Sequence, residues 1–403
     1  MRGFRDRVEV AEVLRLLNQR LCALPVEEVG LHEAGGRVLG RDLVAGVDVP
    51  GFDRAAMDGH AVRGEDTFGA SAYSPVELRV VGEARPGQAF LEVLKAGEAV
   101  RIMTGAPLPD GADAVVPAEL SREREEMLEV FEPIAPWRHV GRRGEDIKLG
   151  QKVLQRGRVL RPQDVGVLAA IGQARVPVIR QPRTDLFVTG NELLPVGSAP
   201  CGYRIVDSNS VMLEALVKRD GGVPQLHPIL SDDRHLIAQS LRESQAEVIL
   251  ISGGSSVGPE DHAPGVLAEL GELAIHGVAL RPASPTGIGF LGGRPVFLLP
   301  GNPVSCLAAY DFFAGPAIRA LGGRSTDWPY RRLNARLAAK VASAVGRVDY
   351  VRVQVTAEGV VPLATSGASI LSSTTRADAF LIVPAESEGY PEGTAVEVYL
   401  YDS

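Results

Sequence analysis

Three glycine-containing loops carry the residues whose types and spacing are best suited to chemistry. They read Thr189-Gly190-Asn191-Glu192, Ser252-Gly253-Gly254-Ser255-Ser256-Val257-Gly258-Pro259-Glu260-Asp261 and Pro300-Gly301-Asn302-Pro303. Each follows a short apolar run (DLFV, EVILI or VFLL) that is typical of a buried strand. Ligands of doubly wound sheets bind outside the carboxyl ends of the strands. The three loops therefore predict one site for a phosphate-bearing ligand.

The second loop has the composition of an anion-binding loop. Gly253, Gly254 and Gly258 let backbone N–H groups approach an anion closely. Asp261 at its end is suited to holding Mg²⁺ or a ligand hydroxyl. A tight turn after a strand is the alternative for this loop alone, and the two companion loops favour a binding site. Its hydroxyl donors are Ser252, Ser255 and Ser256.

The third loop precedes a helical pattern. Asn302 is its predicted N-cap and Pro303 its first helical residue, with Pro300 and Gly301 before them. The N–H groups at the start of such a helix point beyond the strand ends, where they can bind phosphate. Plain capping chemistry explains the same residues, and the two interpretations are compatible.

Acidic residues gather at predicted strand ends, at Glu192, Asp207, Asp232, Asp233 and Asp261. Mg²⁺ prefers oxygen ligands and usually shares them with substrate phosphate. For the group we therefore expect a metal-and-phosphate role. N-capping is the alternative for Asp207 and Asp232, because both precede helical patterns.

Four other residues carry weaker signals. Asp53 and Asp58 stand in GFDRAAMDGHAV, where Asp58 and the glycine after it read on composition as a turn. Thr104, which is also followed by glycine, is likewise interpreted as a turn residue. Arg352 lies on the non-valine face of a predicted strand, where an arginine is usually exposed to solvent.

The composition excludes several classes of protein. A chain of 403 residues suggests two to four domains, and its formal net charge of −8 argues against a nucleic-acid surface or a basic membrane patch. Cys22, Cys201 and Cys306 have neither disulfide nor zinc spacing, which fits a reducing cytoplasm. The sequence shows no apolar signal core, and no apolar stretch is long enough to span a bilayer.

Hydrophobic periodicity predicts the elements that position these residues. Residues 8–21 and 163–172 have helical spacing, and residues 51–139 are typical of a mostly β module. The charged stretch 121–126 (SREREE) is predicted to be a solvated loop or turn. A polar, glycine-rich stretch at 141–150 indicates a domain boundary.

From about residue 180 to 325 strand and helix patterns alternate, as in a βαβ sheet. After about residue 326 the pattern has period two, which predicts a half-buried antiparallel β module. Ser208 or Asn209 is the predicted N-cap of the first helix. The predicted strands are 185–188, 223–229, 247–251, 296–299, 350–355 and 396–400, and the predicted helices between the first four are 209–220 and 233–244.

Eight strings occur in the order of a known family: GFDRAAMDGHAV, RIMTGAPLPDGADAVVPAE, VGRRGEDIKLGQ, VTGNEL, VDSNS, SGGSSVGPED, LPGNPVS and GRVDYVRV. Together they resemble the molybdopterin molybdenumtransferases, the MoeA family that includes the gephyrin E domain, through nearly the whole chain. The resemblance implies ligation of molybdate into adenylylated molybdopterin, with release of AMP and assistance by Mg²⁺. It also implies an elongated homodimer whose active sites lie at the subunit interface.

The fold implied by the resemblance is multi-domain α+β. It combines a doubly wound α/β molybdopterin-binding domain with a β-rich inserted domain and a C-terminal β-barrel-like domain. The implied domains are 1–50 together with 140–179, the insertion 51–139, the α/β domain 180–325 and the β domain 326–403.

The resemblance also assigns roles to residues. Asp58 and Thr104 of one subunit would face the metal-binding carboxylates Glu192, Asp232 and Asp261 of the other, and these five would form the catalytic set. Arg352 matches an arginine associated with oxyanion binding, and Pro300 and Pro303 match active-site prolines. The expected substrate-binding residues are Asp207, Ser208, Asn209, Ser252, Gly253, Gly254, Ser256, Gly258, Arg281, Pro300, Gly301, Asn302, Pro303 and Arg352.

The chain departs from the family pattern on the expected oxyanion side. Arg281-Pro282-Ala283-Ser284-Pro285 stands where the family usually has Lys-Pro-Gly-Lys-Pro, and Ala368 replaces a serine. A lysine of some members falls near Gly277. Two alternatives therefore stand beside insertion: a divergent paralogue, acting on a related pterin or on tungstate, and a non-catalytic carrier of the cofactor. The carboxylates favour an enzyme over a carrier. Measuring AMP release discriminates between these hypotheses.

Overall fold

The computed structural model describes residues 7–256, 258, 261–364 and 367–401. Val257, Pro259 and Glu260 of the predicted anion-binding loop lie outside the described residues. The chain forms two compact units. The first unit comprises residues 29–35 and 41–176, and the second comprises the chain before residue 29, residues 36–40 and the chain from residue 177 onward.

The described residues form α-helices numbered here in chain order: α1 Val10–Arg20, α2 Pro162–Ala170, α3 Asn209–Arg219, α4 Arg234–Glu243, α5 Ala263–Leu270, α6 Pro303–Ala309, α7 Gly315–Leu321 and α8 Ser372–Thr375. A π turn at Tyr310–Ala314 joins α6 to α7, and short 3₁₀ turns occur at Leu31–Glu33, Gly64–Thr67 and Ala118–Leu120. The predictions of helices at 8–21, 163–172, 209–220 and 233–244 are confirmed, with ends that differ by one or two residues. Among the described residues, no helix has the length and apolar composition needed to cross a membrane.

The first unit is built on a six-stranded sheet. Its strands are β1 Gly59–Val62, β2 Val76–Ala84, β3 Glu98–Ile102, β4 Ala114–Pro117, β5 Ser121–Arg124 and β6 Met127–Val130. They lie in the order β4-β1-β3-β2-β6-β5, with β2 and β3 parallel and the other pairs antiparallel. The prediction of a mostly β module is confirmed.

The prediction of a loop or turn at 121–126 is wrong for its first four residues and holds only for the turn at Glu125 and Glu126. Its first four residues form the edge strand β5, which pairs with β6 through a turn. Charged side chains are tolerated there because an edge strand leaves them access to solvent. Glu123 on this strand binds Arg101 of β3 and His60 of β1.

The second unit contains a mixed sheet covered on both faces. Its strands are β7 Arg183–Val188, β8 Val223–Leu226, β9 Val248–Ser252, β10 Glu272–His276, β11 Gly287–Leu291 and β12 Arg294–Leu299. The order is β8-β7-β9-β12-β11-β10, in which β8, β7, β9 and β12 are parallel. Strand β11 is antiparallel to both β12 and β10, so β10 runs in the same direction as the first four strands. Helices α3, α6 and α7 pack on one face, and α4 and α5 on the other.

Burial on both faces explains the strand sequences. Every residue of β9 is buried, so VILIS shows no alternation of apolar and polar side chains. The strands predicted at 185–188, 223–229, 247–251 and 296–299 correspond to β7, β8, β9 and β12. The sequence analysis did not identify β10, β11 or α5. Glycine interrupts β11, and proline and glycine fall in the first turn of α5. Strand β10 (ELAIH) has only five residues, with glycine on either side.

The C-terminal region forms a further sheet. Its strands are β13 Arg331–Arg336, β14 Val348–Thr356, β15 Gly359–Ala364, β16 Ala379–Val383 and β17 Ala395–Leu400. In space the order is Leu280–Arg281, β14, β16, β17 and β13. Strand β15 lies off this path and pairs with β14. The prediction of an antiparallel β module is confirmed, whereas the half-burial expected of its strands is wrong for β14. Shorter or separate strands occur at Val26–Gly30, Leu43–Val44, Arg54–Ala55, Val140–Gly141, Lys152–Leu154, Arg175–Ile179, Leu193–Leu194, Ile205–Val206, Val341–Ala342 and Gly389–Tyr390.

Strand β14 is covered on both of its faces. Val351 and Val353 belong to the core of the C-terminal sheet, while Tyr350 packs into the core that contains α3, α6 and α7. Arg352 lies on the same face as Tyr350 and is 1% exposed, so the expectation of a solvated arginine is wrong. The period-two pattern gave no sign of this second packed layer.

An aromatic cluster joins the C-terminal sheet to the α/β region. The Phe380 ring on β16 stacks on Tyr350 at 4.6 Å between centroids and meets Trp328 edge-on at 5.5 Å. Trp328 in turn meets Phe312 of the π turn at 4.9 Å. The contacts continue from the sheet to the segment between α6 and α7.

Phe380→Ala should lower the free energy of unfolding of the second unit by about 3–5 kcal/mol, because truncation leaves a cavity in a closed aromatic core. Urea unfolding followed by circular dichroism measures the change. Phe68→Ala is the control, since Phe68 is 59% exposed and its truncation should change stability by only about 0.5 kcal/mol. Equal losses in the two variants would contradict this account of the core.

Candidate functional site

The three predicted loops meet at the carboxyl ends of β7, β9 and β12. The Thr189 N–H donates to the Ser252 carbonyl at 2.9 Å, and the Gly253 N–H donates to the Leu299 carbonyl at 3.1 Å. Each bond continues the parallel pairing of two strands by one step into the loops. The loops therefore begin at a common level.

Glycines are required where the loops touch. Gly253 has φ +96°, and a Cβ at this position would lie 2.3 Å from the Thr189 carbonyl oxygen. Gly254 has φ +56°, and its Cβ would lie 3.1 Å from Thr189 Oγ1. Both the conformation and the space exclude a larger residue at Gly253. A Cβ at Gly301 would lie 3.6 Å from the Gly253 Cα, so the third loop is also close.

Asn209, the first residue of α3, ties two of these loops together. Its Nδ2 donates to Ser252 Oγ at 2.9 Å and to the Gly301 carbonyl at 2.8 Å. Because that carbonyl can only accept, the contact also fixes which end of the amide carries the nitrogen. Asn209 is 6% exposed, so this link is shielded from water.

The acidic residues divide between capping and cross-linking. The Asp207 carboxylate accepts the N–H groups of Asn209 and Ser210 and so caps α3, whereas the Ser208 side chain makes no capping bond. Ser208 is therefore the N-cap residue, one of the two predicted, but the side chain that caps the helix is that of Asp207. Helix α4 is capped by Asp233, whose pKa is lowered by the N–H groups of Leu236 and His235.

Asp232 links the loop after β7 to the segment after β8. It accepts the Asn191 N–H at 3.1 Å, and its own N–H donates to Asn191 Oδ1 at 3.3 Å. Asp261 accepts the Gly258 N–H at 2.7 Å and thus closes the second loop. The structure gives Asp232 no capping role, since Asp233 supplies the cap of α4.

A cavity of about 760 Å³ opens over these loops. Its volume is that of a site for a cofactor-sized ligand. The residues predicted from sequence that line it are Glu192, Asp207, Ser208, Asn209, Asp232, Ser252, Gly253, Gly254, Ser256, Asp261, Pro300, Gly301, Asn302 and Pro303. The sequence analysis therefore located most of one continuous wall.

The charge of the lining is one-sided. It holds the carboxylates of Glu192, Asp207, Asp232 and Asp261, and no lysine, arginine or histidine stands among the described lining residues. Within the described ranges, no group of three or more His, Cys, Asp or Glu side chains is placed to hold a metal ion. A polyanionic ligand therefore meets an acidic wall.

Some lining residues carried no usable sequence signal. Ser369 and Leu371, from the segment before α8, reach the cavity although they lie far along the chain from the three loops. Ser369 Oγ donates to Asn302 Oδ1 at 2.8 Å, and the Val304 N–H donates to the Ala368 carbonyl at 3.0 Å. Asn302 is the N-cap residue of α6 as predicted, but its side chain binds Ser369 and makes no capping bond.

Two arginines expected at the site lie outside the cavity lining. The Arg281 guanidinium pairs with the buried carboxylate of Asp349. Arg352 lies opposite Phe380 in the C-terminal sheet, and burial lowers the pKa of its guanidinium. Gly258 is also outside the lining, although its N–H binds Asp261, which lies within it. Their substrate contacts remain predictions.

Asp58 and Thr104 form a pair in the first unit. Asp58 Oδ1 accepts the Thr104 N–H at 2.7 Å and the Thr104 hydroxyl at 2.8 Å. These two bonds lower the pKa of Asp58, because both stabilise the charged form of its carboxylate. Interpreting each as a turn residue missed this contact, because nothing local relates two residues that are 46 positions apart.

Comparison with known proteins places the whole chain. Residues 8–172 match the "MoeA N-terminal region (domain I and II)", residues 185–320 the "Probable molybdopterin binding domain" and residues 334–401 the "MoeA C-terminal region (domain IV)". The chain is 31% identical to a molybdopterin molybdenumtransferase of Staphylococcus aureus, over 99% of this chain and 97% of that one.

Further relatives agree with this placement. Molybdopterin molybdenumtransferase 2 of Mycobacterium tuberculosis is 36% identical over 85% of this chain and 86% of its own. The crystal structure of a molybdopterin biosynthesis MoeA protein from Pyrococcus horikoshii superposes with a TM-score of 0.85 at 34% identity, over 99% of this chain and all of the other.

Gly253→Ala should lower the free energy of unfolding by about 2–4 kcal/mol, because it combines a left-handed φ with a backbone clash. The apparent Tm should fall accordingly. Gly293→Ala is the matched control: its φ is +83°, and nothing lies within 4 Å of the added Cβ, so only about 1 kcal/mol of conformational strain applies. Thermal unfolding of both variants makes the comparison. Equal shifts would show that the loops do not pack as described.

Proposed function

Because the chain belongs to the molybdopterin molybdenumtransferase family, we propose that it inserts molybdenum from molybdate into adenylylated molybdopterin. AMP is released, and the reaction is a late step of molybdenum cofactor biosynthesis. The observation that carries the proposal is the cavity at the ends of β7, β9 and β12, with a glycine- and serine-rich loop and carboxylates in one wall. Binding and positioning of a phosphoanhydride suit such a wall.

The chemistry asks for three kinds of group. The phosphoanhydride between adenylate and the pterin phosphate must be broken, so an oxygen nucleophile adds to phosphorus and AMP leaves. Backbone N–H groups around Gly254 and the hydroxyls of Ser255 and Ser256 would hold phosphate oxygens. One or two of the carboxylates of Asp261, Asp232 and Glu192 would hold the cation that offsets the charge.

Mg²⁺ fits this donor set. The lining offers carboxylate oxygens and no basic side chain among the residues described, so a polyanionic substrate would be repelled without a cation. Mg²⁺ is commonly held by one or two carboxylates, with waters and substrate phosphates completing its shell. The absence of a three-ligand cluster in the described ranges suits this mode. When bound, the ion would polarise the phosphate oxygens.

The remaining assignments complete the proposal. Asp58 and Thr104, whose hydrogen-bonded pair lies in the first unit, would act on the active site of a second copy in a cytoplasmic homodimer. The four-domain division would follow the boundaries inferred from the resemblance: 1–50 with 140–179, then 51–139, 180–325 and 326–403. The α/β domain would bind the pterin, and the C-terminal domain would be the barrel-like one.

One observation favours a second candidate function. Arg281 is engaged by Asp349, and neither it nor Arg352 lines the cavity, so the expected oxyanion donors are not placed on its described wall. A carrier that binds the pterin without inserting metal, or a divergent paralogue, would need no such donors. Molybdate dependence separates these functions from insertion.

The decisive experiment measures AMP release from adenylylated molybdopterin by the purified protein with Mg²⁺, with and without molybdate. Molybdate-dependent release with formation of active cofactor is expected. Tight pterin binding without release would support the carrier. AMP release at the same rate with and without molybdate would support the paralogue.

Removal of Mg²⁺ by EDTA should lower AMP release by about 100-fold or more, because the acidic wall then repels the substrate and nothing polarises the phosphoanhydride. Restoring excess Mg²⁺ should restore the rate. Release that persists in EDTA would rule out the metal role.

Asp261→Asn should lower kcat/KM by about 100-fold or more, because it removes a charge where the cation would bind. The Asn side chain keeps an oxygen for the Gly258 N–H, so the loop and the Tm should change little. Asp327→Asn is the control, since Asp327 is exposed and outside the cavity lining. Unchanged AMP release by Asp261→Asn would remove this residue from the catalytic set.

A further inference from the structure

A histidine outside the cavity binds the middle of the glycine-rich loop. His276, the last residue of β10, has its Nε2 2.9 Å from the Ser255 carbonyl oxygen. A carbonyl oxygen can only accept, so Nε2 carries the hydrogen and donates it. Strand β10 lies at the edge of the sheet, five strands away from β8, and is fixed by pairing with β11. The bond thus anchors a loop on a rigid strand.

The direction of this carbonyl determines the direction of an amide. In a trans peptide the C=O of Ser255 and the N–H of Ser256 point opposite ways in one plane. Ser255 and Ser256 line the cavity, and His276 does not. The Ser255 carbonyl thus points to a side chain outside the cavity lining, and the Ser256 N–H points the opposite way.

We propose that His276 is a positioning residue that orients the Ser255–Ser256 peptide so that the Ser256 N–H donates to a phosphate oxygen of the substrate. The inference rests on the proposed function and extends it to a residue outside the cavity wall. An uncharged N–H is a suitable donor here, because the described lining offers no cationic side chain.

Among the described residues, other hydrogen bonds hold the loop before and after this peptide. The Gly253 N–H binds Leu299 before it, and the Gly258 N–H binds Asp261 after it. Without His276, rotation about ψ of Ser255 and φ of Ser256 turns the carbonyl towards the cavity. Its partial negative charge would then repel a phosphate.

His276→Phe and His276→Gln test the proposal, because phenylalanine keeps the ring without a donor and glutamine places an N–H near the position of Nε2. His276→Phe should raise the KM for adenylylated molybdopterin about 5- to 10-fold with kcat within about 2-fold, the loss of one hydrogen bond in binding. His276→Gln should restore KM to within about 2-fold of wild type. His32→Phe, at an exposed histidine, is the control for the substitution.

A second measurement needs no activity. Deuterium uptake by the peptide spanning residues 252–261 in the ligand-free protein should rise in His276→Phe and stay at the wild-type level in His276→Gln and His32→Phe. Equal uptake in all four proteins, or a KM that His276→Gln does not restore, would overturn the role of His276. Absence of AMP release from the wild-type protein would instead overturn the proposed function, and deuterium uptake would still decide how His276 acts.

Discussion

The candidate site depends on one buried amide. Asn209 donates from the start of α3 to Ser252 at the end of β9 and to Gly301 after β12, and so sets the spacing of two strand ends and a helix. The spacing is tight enough that Gly253 must be glycine, since a Cβ would meet the Thr189 carbonyl. Asn209 itself is held by Asp207, whose carboxylate accepts its N–H. Capping and site construction are thus one set of contacts.

A buried ionic network lies at the other end of α3 from these contacts. Asp220, at the end of α3, binds Arg319 of α7 at 2.7 Å. Asp311 of the π turn accepts from Arg219 and from the Tyr330 hydroxyl, both at 3.0 Å. Burial raises the pKa of Asp311, and the Arg219 charge opposes that shift. Breaking such a pair leaves an unpaired buried charge, so the network holds α3, α7 and the C-terminal sheet in one arrangement.

The residues of the site that could be predicted from sequence are those next to a local signal. Gly253, Asn302 and Asp261 follow apolar runs whose burial on both faces produced unbroken hydrophobic strings, and parallel strands bring their ends to one edge. Ser369 and His276 had no such signal, because each reaches the loops through tertiary packing from a distant segment. The burial of Arg352 was likewise not predictable, since Arg352 shares its face of β14 with Tyr350, whose stacking on Phe380 is a tertiary contact.

The acidity of the cavity limits how an anion can be held. Four carboxylates line it beside polar and apolar groups, and the described lining has no cationic side chain to balance them. A phosphate must then be bound by a cation that the carboxylates hold, by N–H dipoles, or by both. The loop after β9 offers both a carboxylate for the cation and an N–H dipole. Asp261 is the carboxylate and accepts the Gly258 N–H, and the Ser255–Ser256 peptide precedes Gly258 in the same loop. His276 determines which end of that peptide meets the ligand, and a reversed peptide would add a negative dipole to an already negative wall. The orientation of a single backbone unit therefore has a larger effect here than it would in a basic pocket, where arginine or lysine could compensate.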